Sequence, residues 1–268
     1  MDINNKILAI AEDKNISVGE KIAAIVDLHQ TIQPDTDEFY QVGVVAYEAV
    51  RSLLLNDNYE DCHLGDLLMC NSLLAESYWR TGRSWLIAPL AQHIYDMLLG
   101  VTTDDDESLK MIVAVIDRIC YVLQSHPRLT MKLNAQQYRF EKMRKEPNKE
   151  TLEEAANNII SLSTLTGDDT WYAPIKDELV ELLGSAMVQE IVDNPYTGNL
   201  KVDEVEYTEA YENAIDAVEE EVARRMGNQP YAMGMCFEIW SIKKEILLEK
   251  YKIEWRTPSQ MNPRVMFD

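Results

Sequence analysis

Residues 207–226 run YTEAYENAIDAVEEEVARRM, and residues 227–251 continue GNQPYAMGMCFEIWSIKKEILLEKY. In the first segment Tyr207, Tyr211, Ala214, Ile215, Val218, Val222 and Met226 fall on one face of a 3.6-residue helix. Glu209, Glu212, Asp216, Glu219, Glu220 and Glu221 occupy the remainder. Arg224 and Arg225 close the segment, where positive charge complements the negative end of the helix dipole. Gly227 and Asn228 suit a left-handed cap, and Pro230 prevents continuation. The second segment is apolar nearly all round, through Met233, Met235, Cys236, Phe237, Ile239, Trp240, Ile242, Ile246, Leu247 and Leu248. A helix with so wide an apolar face is expected to be buried between others. This helical hairpin sets the expectation for the whole chain, an all-α fold.

The tail Trp255-Arg256-Thr257-Pro258 with Met261-Asn262-Pro263 cannot be helical throughout, because each proline biases its predecessor toward extended geometry. It is expected to wrap back and pack Trp255, Val265 and Phe267 as a clasp. The alternative is an exposed recognition tail carried by Trp255 and Arg256, residue types that dominate binding hot spots. The run Met235-Cys236-Phe237, Trp240, Lys243-Lys244, Ile246-Leu247, Tyr251, Ile253-Glu254-Trp255, Met261-Asn262-Pro263 and Phe267-Asp268 resembles the closing segment of an uncharacterised bacterial protein family. That resemblance implies a bacterial origin and no chemistry.

At 268 residues the chain can bury a sizeable core, as one large domain or two small ones. Only 10 glycines and 9 prolines occur, and the β-branched runs of a sheet protein are missing. The pattern predicts about ten helices in an irregular bundle or stacked helical-hairpin array, closed by the C-terminal hairpin and its tail. A boundary is expected at Pro147-Asn148, dividing residues 1–147 from 148–268. The formal charge of −21 disfavours nucleic acid and anionic membrane surfaces, both of which call for clustered Lys and Arg. No signal peptide or apolar run of membrane-spanning length is apparent, so a cytoplasmic location is expected. Cys62, Cys70, Cys120 and Cys236 show no paired spacing and read as free thiols.

Ser17 with Glu20 has the capping-box pattern ahead of a helix. Helices are expected over 37–55, 64–79, 85–99 and 109–123, the last being the most buried of its half. Leu74-Ala75, Tyr78, Gly82, Ala88 and Tyr95 make residues 67–99 resemble one tetratricopeptide-type hairpin. The second-helix alanine is displaced by one, and no copy recurs at the 34-residue period of that family. Asp104-Asp105-Asp106-Glu107 is expected to cap the following helix. Residues 128–149 are basic, with Arg128, Lys132, Arg139, Lys142, Arg144, Lys145 and Lys149 around Tyr138 and Phe140. This run is expected to face the acidic helix 203–221, or to form a partner site through Arg139, Lys142 and Arg144.

Chemistry-bearing patterns are few. Glu60-x-x-His63 has di-iron spacing without the second copy such sites need. Asp193, Gly198, Leu200 and Glu204 fall at positions 1, 6, 8 and 12 of an EF-hand loop, but Pro195 and Thr197 stand where oxygen ligands belong. A calcium site on Asp193 and Glu204 is therefore the weaker expectation beside a simple turn. No phosphate loop, nucleophile elbow or zinc helix occurs, so no cofactor and no catalytic residue is assigned. Three functions fit, in this order. First is a protein-interaction or adaptor module, acting on a protein partner or by self-association. Second is an enzyme or small-ligand binder with an inter-helix pocket drawing on Trp79, Trp85, His93 and Tyr95. Third is an acidic decoy of a DNA-binding protein. A shallow groove or exposed apolar patch would mark the first, and a deep pocket with convergent polar groups the second.

Overall fold

Short-range chemistry starts the helices where the sequence places them. Ser17 Oγ accepts from the Glu20 N–H at 3.3 Å while the Glu20 carboxylate accepts from the Ser17 N–H at 2.8 Å. Asp105 accepts from the Ser108 N–H at 2.9 Å, so the acidic run does cap its helix. The computed structural model describes residues 2–55, 64–195, 198, 200–227 and 233–267. These form thirteen helices and short 3-10 turns, with no strand among the described residues. The protein is all-α, and no described helix is long and apolar enough to cross a membrane.

Two compact units emerge, Met1–Val122 with Met143–Lys145, and Leu123–Lys142 with Glu146–Asp268. The first contains α1 (Ile3–Glu12), α2 (Val18–Gln30), α3 (Asp37–Leu54), α4 (Leu64–Arg80), α5 (Ile87–Leu99) and α6 (Asp106–Val122). Helix α4 is the hub, packed against α3, α5 and α6. It buries nine residues where α6 buries seven, so α4 rather than α6 is the most enclosed helix of this unit. Helices α3 and α4 approach closely at Gly43. A Cβ there would lie 2.8 Å from Ser77 Oγ and 3.2 Å from His29 Nε2. His29 is buried, and its Nε2 stands 3.0 Å from the Phe39 carbonyl oxygen. A carbonyl can only accept, so Nε2 carries the proton and Nδ1 accepts from Tyr47 Oη at 3.3 Å. Burial holds the imidazole below its ordinary pKa and hence neutral.

The second unit contains α7 (Pro127–Met143, its last residue grouped with the first unit), α8 (Lys149–Thr166), α9 (Lys176–Leu183), α10 (Ser185–Asp193), α11 (Glu209–Met226), α12 (Met235–Ile246) and the short α13 (Pro258–Met261). The basic run 128–149 is thus mostly helix. Gly184, at φ +84°, separates α9 from α10 in a conformation side chains disfavour. One hydrophobic cluster joins Tyr138 to Ala155, Ala156, Ile159, Ile160, Leu179, Val188 and Ile191. A second joins Tyr211, Ala214, Ile215, Val218, Val222 and Met226 of α11 to Ile246, Leu247, Ile253 and Trp255. The stripe read from α11 is the face it buries, save for Tyr207, which lies in the preceding 3-10 turn.

Gly43→Ala should destabilise the first unit by about 1–3 kcal/mol through overpacking, seen as a lower urea midpoint. Adding Ser77→Ala, which removes the 2.8 Å contact, should recover part of that loss.

Candidate functional site

The C-terminal tail closes as a clasp. Asp203 is buried and accepts from the Arg256 backbone N–H at 2.6 Å, from its Nε at 3.2 Å and from its Nη2 at 3.0 Å. Burial works against the Asp203 charge, yet the Arg256 guanidinium and N–H bonds hold its carboxyl below the ordinary value. Trp255 is only 3 % exposed, and its indole N–H donates to Glu206 at 2.7 Å. The Lys243 ammonium lies 5.5 Å from the Tyr211 ring centroid, 5.2 Å from that of Trp255 and 3.7 Å from Glu219. Asn262 fastens the tail by accepting from the Lys201 N–H at 2.8 Å and donating to the Lys201 carbonyl at 2.9 Å. Trp255 is therefore a packing residue with no free face for a partner, and Arg256 is held by Asp203. Val265 is exposed instead of packed.

Helix α12 departs most from expectation. Its contacts are with α11 and the chain that follows it, and Ile246 is its one fully buried residue. Ile246 belongs to the α11 cluster, and Met235, Ile239, Trp240 and Ile242 pack against it. Phe237 is 48 % exposed, and in the flanking chain Met233 and Met266 are exposed at 90 % and 95 %. Phe237, Trp240 and Phe267 form an edge-to-face series, with centroids 5.3 Å and 5.1 Å apart. Beyond the helix Leu248 and Tyr251 are also exposed. Lys244 lies one turn on from Trp240 and is in no ion pair among the described residues. Lys244 is instead bonded to Gln260 at 3.0 Å. The sequence showed that α12 is apolar nearly all round; what covers each side was beyond it.

The basic run is neutralised in several directions. Arg128 meets Glu212 at 3.3 Å, as expected of the acidic helix, but Lys142 pairs with Glu178 of α9 and Lys149 with Glu153 of its own helix. Arg144 lies 3.9 Å from Asp106, and Arg139 stacks 4.3 Å from the Phe140 ring centroid. On α11, Arg224 and Arg225 hold the Glu221 carboxyl down to about 2. Asp193 ends α10 and accepts from Gln189 at 2.9 Å, while Glu204 opens a 3-10 turn. No group of three or more metal-type ligands occurs among the described residues. Glu60, Cys62 and His63 lie outside the described residues, as do Tyr196, Thr197 and Asn199 of the EF-hand-like loop.

Within the first unit the four proposed pocket residues have separate surroundings. Trp79 meets Tyr121 edge-on at 5.4 Å, and Arg80 stacks 4.8 Å from its ring. Trp85 is half-buried in the 3-10 turn before α5, and Tyr95 is buried in α5 itself. His93 joins two residues that the sequence gave no reason to single out. Arg51 Nε donates to Asn71 Oδ1 at 2.8 Å, and Arg51 Nη2 lies 3.2 Å from His93 Nδ1. Nearby Cys70 donates to the Tyr47 carbonyl, and burial pushes its thiol up to about 12. That is the wrong state for a nucleophile. An open apolar groove of about 550 Å³ also runs between α1 and α2, walled by Ala9, Ile10, Ala24 and Leu28.

No protein-family model, curated protein or solved structure matches the chain.

Two outcomes follow from the buried groups. Burial raises the Glu206 carboxyl above its ordinary 4.5. Its contribution therefore favours the folded state below about pH 4.5 and is lost as pH rises through the higher folded value. Glu206→Gln keeps an acceptor for Trp255 and removes the buried charge. It should raise the urea midpoint at pH 7 and lose that advantage at pH 4. Cys70 should resist iodoacetamide at pH 8 in the native protein and react fully in urea, as read by peptide mass mapping.

Proposed function

We propose that the protein is an interaction module that binds an amphipathic helix of a partner protein on the exposed face of α12. The observation that carries this is Phe237, 48 % exposed on α12 and edge-to-face with the half-buried Trp240, which in turn meets Phe267, with Met233 and Met266 exposed in the flanking chain. Methionine and aromatic side chains make adaptable, high-area contacts of the kind that seat an amphipathic helix. Lys244, one turn on from Trp240, and Arg264, three residues before Phe267, favour a partner whose apolar stripe is flanked by acids. A second copy would bring the same cations together and set two chains of charge −21 against each other, which favours a different partner. Acids tied to Arg128, Arg224 and Arg225 leave α11 poorly suited to imitate a row of phosphates, so the decoy reading gains no support.

The test uses a designed helical peptide with leucines at i, i+3, i+4 and i+7 and glutamates beside them, together with a lysine-flanked twin. The glutamate peptide should bind the full chain and quench or shift tryptophan fluorescence, and the twin should bind at least about tenfold more weakly. Phe237→Asp should abolish binding while leaving the far-ultraviolet circular dichroism spectrum unchanged. Affinity capture from host lysate, run with both proteins, should yield a stoichiometric partner that only the unmodified chain retains, and less of it in about 0.5 M salt. Equal peptide binding by the Phe237→Asp variant would overturn the proposal. So would a dimer that this substitution dissolves, since the occupant would then be a second copy.

A further inference from the structure

We propose that Phe267 is a built-in plug of the α12 surface, a tethered side chain that a partner helix must displace from Trp240 in order to seat fully. This rests on the reading of α12 as the partner site, and it names the regulation of that site. The Trp240 ring takes part in two aromatic contacts. Phe237 meets it edge-on at 5.3 Å and Phe267 at 5.1 Å, with interplanar angles of 79° and 88°. Trp240 is half-buried and packs against the α11 cluster, so its ring is a fixed floor. Phe237 lies one turn earlier on the same helix, and its place beside Trp240 follows from helical geometry. Phe267 reaches the ring only through the path of the tail.

That path is fastened firmly up to Asn262 and lightly after it. Thr257 and Gln260 cap α13 reciprocally, and Lys244 donates to Gln260 at 3.0 Å. Asn262 then accepts from the Lys201 N–H at 2.8 Å and donates to the Lys201 carbonyl at 2.9 Å. Beyond this anchor the chain turns on a bond from the Val265 N–H to the Asn262 carbonyl at 3.0 Å. Pro263, Arg264, Val265 and Met266 are all exposed, Met266 at 95 %, and Phe267 is half-buried again. Exposed residues between a fixed anchor and a re-buried ring are the layout of a tether with a plug. Ordering the tether costs conformational entropy that its own exposed side chains do little to offset. The aromatic contact at its end is what holds it closed, and by a small margin.

The consequence for binding is a competition. Phe237 is 48 % exposed and open to a partner, whereas Trp240 is shared between the α11 cluster and Phe267. A partner that extends its contact from Phe237 to Trp240 therefore competes with Phe267. A short tether presents its end at an effective concentration on the order of millimolar, so the plug excludes weak apolar ligands and yields to a stronger one. The apparent affinity of any partner is reduced by the fraction of chains whose tail is open. Between encounters the plug keeps part of an aromatic surface away from unwanted association.

The experiment compares the full chain with Phe267→Ala, which removes the ring and leaves the tether, and with Met266→Ala as the exposed neighbour. Acrylamide quenching reads the cover on Trp240, whose share of the fluorescence is the difference from Trp240→Phe. Phe267→Ala should raise that quenching at least about twofold, and Met266→Ala should leave it unchanged. The glutamate-flanked helical peptide, titrated by calorimetry, should bind Phe267→Ala at least about threefold more tightly than the unmodified chain, and Met266→Ala like the unmodified chain. Unchanged quenching would show that Phe267 does not cover Trp240 and would overturn the plug. Equal peptide affinity with and without the Phe267 ring would overturn the plug while leaving the partner reading standing. Weaker binding by Phe267→Ala would make that ring part of the seat and would likewise overturn the plug alone. Absence of peptide binding by every form would overturn the partner reading and the plug with it.

Discussion

A chain with 46 acidic and 25 basic residues has to fold without stranding negative charge away from water. Its buried or half-buried carboxylates show how this is done. Asp203 gathers the backbone N–H and guanidinium of Arg256 and caps a 3-10 turn through the Val205 N–H. Glu212 accepts from Arg128 and from the backbone N–H groups of Arg128 and Leu129 at the start of α7. Glu141 accepts from the Asn148 N–H. Backbone N–H groups at helix starts act as the counter-charges that side chains are too few to provide. The acids therefore serve as fasteners between segments distant in sequence, and Asp203 with Asn262 ties the tail to residues 201–206.

Much of the fold was legible because it rests on period and capping. The stripe Tyr211 to Met226, the Ser17–Glu20 box and the acidic start of α6 each appear as the residues imply. Helix α7 was harder to read, since part of what it buries is polar, including Asn134, Gln136, Gln137 and Glu141. Asn134 accepts from Asn158 of α8 at 3.0 Å, a cross-helix bond that no hydrophobic pattern encodes. The break at Gly184 is not legible in advance, because a single glycine in a helical pattern carries little signal until its φ is known.

The candidate sites were less legible than the fold. Periodicity reports how wide an apolar face is and says nothing about how many neighbours arrive to cover it. Helix α12 has apolar residues enough for a buried helix, but among the described elements its packing is against α11 and the tail. The tail itself divides along its length. Ile253 and Trp255 enter the core, whereas Val265 and Met266 remain exposed and Phe267 meets Trp240 edge-on. The Asn262 bonds to Lys201 fall between those two parts, so the same strap that closes the second unit also holds its last residues at the apolar surface.

Arg51 and Arg256 show why residue type alone does not locate a site. Arg256, in an exposed-looking Trp-Arg pair, is the one engaged by a buried carboxylate. Arg51, unremarked within a regular amphipathic helix, is held by an amide and an imidazole. Three helices must each present one residue to build that second arrangement, and no spacing within a single segment records it.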